Sequence, residues 1–297
     1  MRYLAEYIAL AAIALPFVLL PRKLAVKGGE ALGLFFYHVL KQRRMVTIEN
    51  LRAASARGLL SDTREPEALA RECFRNVGRN IAEIARLSYG MDKDQIGKIR
   101  IEGLENIEAA MEKGKGFLGL TGHFGNWELV GMAIPGRLHI PTGVARRQKN
   151  PYIDRRIIRN RESLGGEVVY KEGAVRQFLK TLKRGKGVLV IMDEPVSPEA
   201  GTPVDFMGYR AGFHRTAISL SKRYGVPVVP FVMWHEGQGR HAIRVYPEME
   251  MTGDERADAR MIAEFIEGFV REHPTQWLQW FRRWTWADEK DAMEQEH

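Results

Sequence analysis

The sequence predicts one α/β domain with a helical N-terminal region and a largely parallel or mixed central sheet flanked by helices. Apolar residues recur at helical spacing over residues 28–56 and 65–89. From residue 115 onwards, short apolar stretches alternate with helical segments, which is typical of a largely parallel sheet. The 297 residues are 45% hydrophobic, enough for one large core, and no convincing linker divides them. We therefore expect an N-terminal helix over residues 1–27 and a single domain over residues 28–297.

The first segment, MRYLAEYIALAAIALPFVLLPRKLAVK, is predicted to be a helix associated with a membrane. Its apolar run over residues 8–20 would be roughly 20 Å long as a helix, against about 30 Å for a bilayer core, and Pro16 interrupts it. We favour a partly embedded helix with Arg22, Lys23 and Lys27 at the headgroups. This basic flank indicates the cytoplasmic side. A buried core helix and a cleaved signal peptide are the alternatives.

The remaining elements follow from periodicity and from turn residues. Pro66 stands at the start of the second helical segment, where proline is tolerated. Strands are predicted in KGFLGLTG, HIPTGVAR, GEVVYK, KGVLVIMDE, VPVVPFVMW and HAIRVYPEM. Helices are predicted near residues 126–134, 151–164, 173–184, 212–224 and 256–272. The last two strands are expected to form a hairpin over HEGQGR.

Composition narrows the classes of partner. The formal charge of +8 and the pI near 9.6 suit nucleic acid, anionic lipid or an acidic protein. No helix-turn-helix, zinc-finger or RNA-binding signature accompanies the basic clusters, so we do not expect nucleic acid to be the partner. The single cysteine, Cys73, excludes an intramolecular disulfide and a cysteine metal cluster, and it favours a reducing environment.

The stretch GFLGLTGHFGNWELVG, residues 116–131, carries the candidate chemistry. A buried strand is predicted from Lys115 to Leu120, and Thr121-Gly122 then breaks it. Asn126 is a plausible N-cap for the helix that follows. His123 would then lie beyond the carboxyl end of the strand, where ligands of α/β sheets bind. A carboxylate that holds one imidazole nitrogen leaves the other as a base. Glu128 could do so if His123 lies in a loop, because five positions on one helix would separate the side chains by about 140°.

Two other interpretations of this stretch stay open. It could be only a structural turn between a strand and a helix. It could also contribute to a metal site, although no paired histidine spacing supports one. The residues that could combine in such a site are His123, His139, His214, His235 and Glu128.

TGHFGNWEL resembles the His-x-x-x-x-Asp/Glu motif of glycerolipid acyltransferases, and it is most similar to the bacterial branch that acylates lipid A precursors. Mycobacterial phosphatidylinositol mannoside acyltransferases belong to the same broad family. Further segments that resemble the family follow in order and cover most of the chain. They are RRMVTIENLRAA, VARRQKNPYIDRRIIRNRESLGGEVV, FMGYRAGFHRTAISLSKRYGVPVVPFV and PTQWLQWFRRW.

The resemblance implies roles for particular residues. His123 would be the general base and Glu128 its partner. Arg161 would bind a phosphate or stabilise negative charge in the reaction. The resemblance also implies a set of residues that contact substrate or line its site: Asn126, Arg146, Asp193, Glu194, Phe206 and Gly208.

Some of these assignments have alternatives, and the sequence departs from the family pattern in two places. Arg161 and Arg146 could each form only a surface ion pair. Asp193 and Glu194 could orient Arg161 or the acceptor, or they could cap a helix or loop. The turn reads Phe-Met-Gly where Phe-Phe-Gly is commoner, and residues 144–147 replace the usual Tyr-Arg-Pro.

The tryptophan-rich ending has two interpretations. Trp277, Trp280, Trp284 and Trp286 could form an aromatic belt at a membrane interface, or they could pack on the core. We expect packing for the first two.

The implied reaction transfers a fatty acyl chain from a thioester to a lipid hydroxyl, with no metal or other cofactor. The donor would be acyl carrier protein or coenzyme A, since a basic surface suits both. The acceptor would be a lipid A precursor or related glycolipid, on an anionic membrane surface at the cytoplasmic face of the bacterial inner membrane. A lysophospholipid or phosphatidylinositol mannoside acceptor, a hydrolase and a non-catalytic membrane-surface protein are the alternatives.

Overall fold

Helices make up the N-terminal region of the protein. The computed structural model describes residues 1–133, 137, 142–145, 147–162, 165–170, 173–194, 196–197, 201–237 and 239–280. The first four helices are α1 (Arg2–Leu19), α2 (Arg22–Val39), α3 (Lys41–Ala56) and α4 (Pro66–Ser88). The predicted helical stretch 28–56 is therefore two helices, which are separated at Leu40.

Helix α1 is longer than its sequence suggested, because Pro16 lies within it and does not interrupt it. The helix ends before Pro21, and Leu20 has the extended backbone that a following proline favours. At 18 residues, α1 is about 27 Å long, and its length and composition would allow it to cross a membrane. Only Phe17 is buried, so α1 does not fit the alternative of a buried core helix.

Contacts with α1 satisfy polar groups elsewhere in the protein. Arg86 of α4 donates from Nη1 to the carbonyl oxygens of Phe17 and Leu20, over 2.7 and 2.5 Å. The Asn150 amide donates to the carbonyl oxygen of Tyr3 over 2.8 Å. Arg86 and Asn150 are both buried. Removal of α1 would therefore leave buried donors without these partners.

Helices α2 and α4 cross where both backbones carry glycine. Gly29 and Gly33 lie one turn apart on α2, and Gly78 lies opposite them on α4. A Cβ on Gly33 would overlap the carbonyl oxygen of Phe74, and one on Gly78 would overlap that of Gly29. The two helices can approach this closely only without side chains at these positions.

The second part of the chain forms a mixed sheet, in the strand order β1-β9-β8-β2-β5-β3-β4. Pairing is parallel throughout except in the β8–β9 hairpin, which confirms the predicted hairpin. These strands are β1 (Arg100–Glu102), β2 (Phe117–Thr121), β3 (Thr142–Ala145), β4 (Glu167–Tyr170), β5 (Gly187–Ile191), β8 (Val228–Gly237) and β9 (Arg240–Val245). A separate antiparallel pair is formed by β6 (Thr202–Phe206) and β7 (Tyr209–Phe213).

Seven further helices follow among the described residues; the sequence predicted five of them to within a few residues and did not predict the two that lie between residues 93 and 112. They are α5 (Lys93–Gly97), α6 (Leu104–Glu112), α7 (Trp127–Ala133), α8 (Pro151–Glu162), α9 (Ala174–Leu182), α10 (Thr216–Tyr224) and α11 (Glu255–Glu272). The sequence reading missed β1 because it has only three residues. It missed β6–β7 because charged residues, Pro203 and Gly212 interrupt the apolar alternation.

The central strands β2 and β8 are buried on both faces. Leu118 and Leu120 of β2 pack in the hydrophobic cluster that contains α9 and α11 residues, whereas Phe117 packs in the cluster that contains α6 residues. Strands covered on both faces read as continuous apolar runs, which explains why KGFLGLTG and VPVVPFVMW were recognisable.

We expect Gly33→Ala to lower the free energy of unfolding by about 1–3 kcal/mol, because the added methyl group must push α2 away from α4. Thermal or urea unfolding followed by circular dichroism measures this change. Gly268→Ala in α11 is the matched control, since nothing lies within 4 Å of its added Cβ. Ala is also the better helix former. Equal stability of Gly33→Ala and the parent protein would contradict the close crossing.

Candidate active site

Two neighbouring strands end at the candidate site. Strands β2 and β5 are parallel and in register, with Thr121 opposite Ile191. His123 lies two residues beyond the first strand, and Asp193 lies two residues beyond the second. Equal spacing from paired strand ends brings these side chains together, at the sheet edge where ligands of parallel sheets bind.

Asp193 holds His123 through both of its carboxylate oxygens. Oδ1 lies 2.8 Å from His123 Nδ1, and Oδ2 accepts the backbone N–H of His123 over 3.0 Å. Oδ2 also accepts the indole N–H of Trp277 over 2.7 Å. The Asp193 side chain is completely buried, whereas that of His123 is 15% exposed. Donors from three directions therefore fix the carboxylate, and the carboxylate in turn fixes the imidazole.

This arrangement prepares His123 to accept a proton. A carboxylate can only accept hydrogen bonds, so in the neutral imidazole the hydrogen is on Nδ1 and the lone pair is on Nε2. The Trp127 ring meets the imidazole edge-on, with ring centroids 5.1 Å apart. Nε2 lies 3.8 Å from Oε1 of Glu194, whose side chain is half exposed.

Glu128 has a different partner from the one the sequence suggested. Both of its carboxylate oxygens accept hydrogen bonds from Arg161 Nη2, each over 2.9 Å. Glu128 lies in the first turn of α7 and Arg161 in the last turn of α8, so this ion pair joins two helices. The expectation that Glu128 orients His123 is wrong, because Asp193 occupies Nδ1. The expectation that Asp193 orients Arg161 is also wrong, because Asp193 contacts His123 and Arg161 contacts Glu128.

A cavity of about 440 Å³ adjoins His123. Strand β5 and helix α9 supply most of its apolar lining, and Glu194, one of its polar groups, lies beside the imidazole. The lining residues are His123, Ala174, Val175, Phe178, Leu189, Val190, Ile191, Met192, Glu194, His214 and Thr216. This shape can hold an apolar chain whose polar end meets His123.

Phe206 and Gly208, two other predicted substrate contacts, are not among the residues that line this cavity. Phe206 is completely buried and meets both Phe213 and Trp277 edge-on, so it supports the indole that binds Asp193. Gly208 has a positive φ of 78° in the β6–β7 turn, a conformation that favours glycine. Arg146 lies outside the described residues.

Asn126 is turned into the protein interior. It immediately precedes α7, as expected of an N-cap, but its side-chain oxygen makes no hydrogen bond with the described residues. Its amide donates to Glu83 Oε2 over 2.9 Å, and the residue is 1% exposed. This side chain therefore supports the loop from behind the site.

The first two tryptophans of the C-terminal segment pack against the rest of the protein, as expected. Trp277 is 2% exposed, and its indole N–H reaches Asp193, a role that its position in the sequence did not reveal. Trp280 packs on Phe74 with ring centroids 5.2 Å apart. Trp284 and Trp286 lie outside the described residues.

A second cluster of titratable groups, Glu83, His235 and His241, lies behind the loop. The two histidines face each other across the β8–β9 hairpin, so their proximity comes from strand register. Each of the three offers a potential metal ligand within 4.8 Å of the others, and all three are buried. The carboxylate, however, already accepts hydrogen bonds from His241 and Asn126.

Comparison with known proteins shows which family the chain resembles along most of its length. The family model described as bacterial lipid A biosynthesis acyltransferase matches residues 1–285. The chain is 30% identical over 219 residues to the phosphatidylinositol mannoside acyltransferase of Mycobacterium tuberculosis (strain H37Rv), covering 71% of this chain and 69% of that protein. It is 24% identical over 262 residues to a lipid A biosynthesis acyltransferase of Haemophilus influenzae, covering 87% and 80%.

A third relative, the lipid A biosynthesis myristoyltransferase of Escherichia coli K12, is 26% identical over 218 residues, covering 72% of this chain and 67% of that protein. The family model and these relatives show that the protein is an acyltransferase. The chain belongs to the bacterial lipid A biosynthesis acyltransferase family.

We expect Asp193→Asn to lower kcat for acyl transfer by roughly 10²- to 10⁴-fold, because an amide facing Nδ1 no longer enforces the productive tautomer. The KM for the thioester should change little, since Asp193 does not line the cavity. Initial rates at varied donor concentration measure both constants. Glu194→Gln is the comparison variant, with a smaller expected effect. A larger loss in Glu194→Gln than in Asp193→Asn would contradict the assignment of Asp193 as the partner of His123.

Proposed function

We propose that this acyltransferase moves a fatty acyl chain from a thioester to a hydroxyl of a lipid A precursor or related membrane glycolipid. The thioester is that of acyl carrier protein or coenzyme A. The observation that carries the proposal is the His123–Asp193 pair beside an apolar cavity. Family membership supports acyl transfer to a glycolipid.

Direct transfer is the simplest chemistry for these residues. His123 Nε2 takes the proton of the acceptor hydroxyl while the hydroxyl oxygen forms a bond with the thioester carbonyl carbon. The tetrahedral intermediate collapses, the carbon–sulfur bond breaks, and the proton passes from the imidazolium to the leaving thiolate. Asp193 stabilises the imidazolium between these two steps.

The negative charge on the intermediate needs a stabilising group. Loop amides would be an obvious source, but three of them already donate elsewhere: His123 N–H to Asp193, Phe124 N–H to Gly122 and Gly125 N–H to Gln276. We therefore assign to Arg161 either this stabilising role or the binding of a substrate phosphate. Glu128 orients the guanidinium of Arg161.

The acyl chain occupies the cavity along β5 and α9. Ala174, Phe178 and Met192 supply apolar surface there, and His123 and Glu194 line the cavity side by side. Burial of each methylene group contributes about 0.8 kcal/mol, so a long chain binds mainly through this surface.

A phosphatidylinositol mannoside is the second candidate acceptor. The identity of 30% to a protein named for that activity favours it, whereas the family model and the Haemophilus and Escherichia relatives favour lipid A precursors. Both are glycolipids with phosphate groups, which suits Arg161 and the net charge of +8.

The proposed location is the cytoplasmic face of the bacterial inner membrane. Helix α1 exposes large apolar side chains, among them Leu4, Ile8, Leu15 and Leu19 on one face. Lys23 and Lys27 beyond it are exposed and can contact anionic headgroups. Arg22, which was expected at the headgroups too, turns inward instead: its guanidinium donates to the carbonyl oxygen of Gly239 and lies 3.6 Å from Glu83 Oε1. An acceptor embedded in the membrane would therefore meet an enzyme that is held at the same surface.

We expect His123→Ala to lower acceptor-dependent acyl transfer by roughly 10²- to 10⁴-fold, since the mutant lacks the general base. The assay supplies labelled acyl carrier protein or coenzyme A thioester. It adds, in separate reactions, a lipid A precursor, a phosphatidylinositol mannoside, a lysophospholipid or no acceptor. Labelled lipid and free fatty acid are both measured. His38→Ala, which removes an exposed histidine on α2, is the matched control.

The outcomes separate the alternatives. Labelled lipid that requires one acceptor class identifies that class and supports the transferase. Free fatty acid released equally without acceptor would indicate a hydrolase. Equal turnover by the parent protein and His123→Ala would overturn the role of His123.

We expect the double variant Ile8→Glu/Leu15→Glu to bind anionic vesicles more than tenfold more weakly, because it removes apolar surface from α1 and adds repulsion. Vesicle flotation with purified protein measures the bound fraction. Tyr224→Glu, at an exposed side chain on α10, is the control. Unchanged binding of the double variant alongside its control would show that α1 is not the membrane contact.

A further inference from the structure

Helix α4 presents a stripe of buried polar side chains to the rest of the protein. Asn76, Asn80, Glu83 and Arg86 lie at three- or four-residue spacing on one face, and each is at most 8% exposed. Asn76 donates to the carbonyl of Thr275, and Arg86 donates to the end of α1. The middle pair contacts the loop that carries His123.

Asn80 and Glu83 hold two consecutive residues of that loop. The Asn80 amide donates to the carbonyl oxygen of Gly125 over 2.7 Å, and Glu83 Oε2 accepts the amide of Asn126 over 2.9 Å. Gly125 has a positive φ of 52°, and a Cβ there would lie 2.6 Å from the carbonyl oxygen of Met233. The loop is thus pressed against β8 on one side and hydrogen-bonded to α4 on the other.

Charged and polar neighbours keep Glu83 in its accepting form. Burial acts to raise its pKa, but the hydrogen bond and charge of His241 and the amide of Asn126 outweigh burial and bring the pKa to about 2. His241 Nε2 lies 3.1 Å from Oε1, and Arg22 Nη2 lies 3.6 Å from the same atom. Glu83 is therefore an ionised carboxylate with a donor on each oxygen.

His235 contacts the side chain of Asn80 as His241 contacts that of Glu83. Because Asn80 uses its amide on Gly125, its oxygen faces His235 Nε2, 3.0 Å away, and that nitrogen must donate. Burial lowers the pKa of His235 to about 3, so the ring is neutral. The Asn80 side chain is thereby held at both ends, its amide by the loop and its oxygen by a histidine of the β8–β9 hairpin.

We propose that Glu83 and Asn80 are positioning residues, with His241 and His235 as their supports, that hold the backbone and side chain of residues 125–126 so that His123 faces its substrate. This inference deepens the proposed function and rests on it. None of the four touches the cavity beside His123, so their effect is transmitted through the loop.

A metal ion is the competing use of this cluster. The Nδ1 atoms of His235 and His241 have no hydrogen-bond partner among the described residues, which a bound ion could explain. Both oxygens of Glu83, however, accept protein donors, and the guanidinium of Arg22 stands beside them. A cation there would have to displace these donors and face a positive charge, so the geometry favours positioning.

The test compares Glu83→Gln with Asp258→Asn. Each replaces a buried carboxylate by its isosteric amide, but the donors to Asp258 among the described residues are Thr252 and Gly253, which precede α11. Glu83→Gln turns a donor toward Asn126 or His241, so we expect kcat to fall by up to about 10²-fold, with little change in the KM for the thioester. Asp258→Asn should lower the unfolding temperature and leave kcat unchanged.

Two substitutions of His241 add a measurement that a general loss of stability would not change. His241→Gln keeps a donor for Glu83, whereas His241→Leu removes it, so the former should retain several-fold more activity at equal folded fraction. The rate at which diethyl pyrocarbonate modifies His123, followed by mass spectrometry, should rise several-fold in Glu83→Gln and stay unchanged in Asp258→Asn. This last measurement needs no acceptor, so it stands even if the proposed function fails.

Each possible result either supports or overturns the positioning role of Glu83 and Asn80. A kcat defect and faster modification of His123 in Glu83→Gln alone would support positioning. Parent-like kcat and modification in folded Glu83→Gln would overturn it. Stoichiometric zinc in the purified protein, lost in Glu83→Gln, would also overturn it and assign the cluster to a metal.

Discussion

The site depends on the in-register parallel pairing of β2 with β5. Thr121 and Ile191 are partners, so the chain leaves both strands at the same edge, and residues two positions further on lie side by side. A slip by one residue would turn the side chains of one strand to the opposite face and separate His123 from Asp193. Both strands are central and largely buried, which makes such a slip costly. The register of β2 with β5 therefore determines both the packing of the sheet and the position of His123 beside Asp193.

Buried polar contacts extend this constraint to the helical region. Asp193 accepts three donors, and α4 supplies polar side chains to the C-terminal segment, the His123 loop and the end of α1. A buried polar group without its partner costs roughly 1–3 kcal/mol, so each contact restricts where the connected segment can lie. Helix α4 can reach all three segments because glycines on α2 and α4 let it sit close against α2.

The sequence predicted the parts of the fold that local pattern encodes. The buried strands, the β8–β9 hairpin and α4 were recognisable because apolar runs and helical spacing mark them. His123 was found as a candidate, since it follows a buried strand. Its partner was not assigned correctly, because Asp193 is 70 residues away and only strand order brings it near. The pair His235 and His241 was hidden for the same reason, since cross-strand register creates it.

The spacing of His123 and Glu128 now has a physical explanation that differs from direct contact. His123 lies in the loop between β2 and α7, and Glu128 is the second residue of α7, so their side chains leave different elements. The histidine turns to β5 and finds Asp193, whereas the glutamate turns to α8 and finds Arg161. Asp193 thus binds the imidazole of His123, and Glu128 binds the guanidinium of Arg161. The motif therefore encodes two separate pairs, one that prepares a proton acceptor and one that fixes a positive charge.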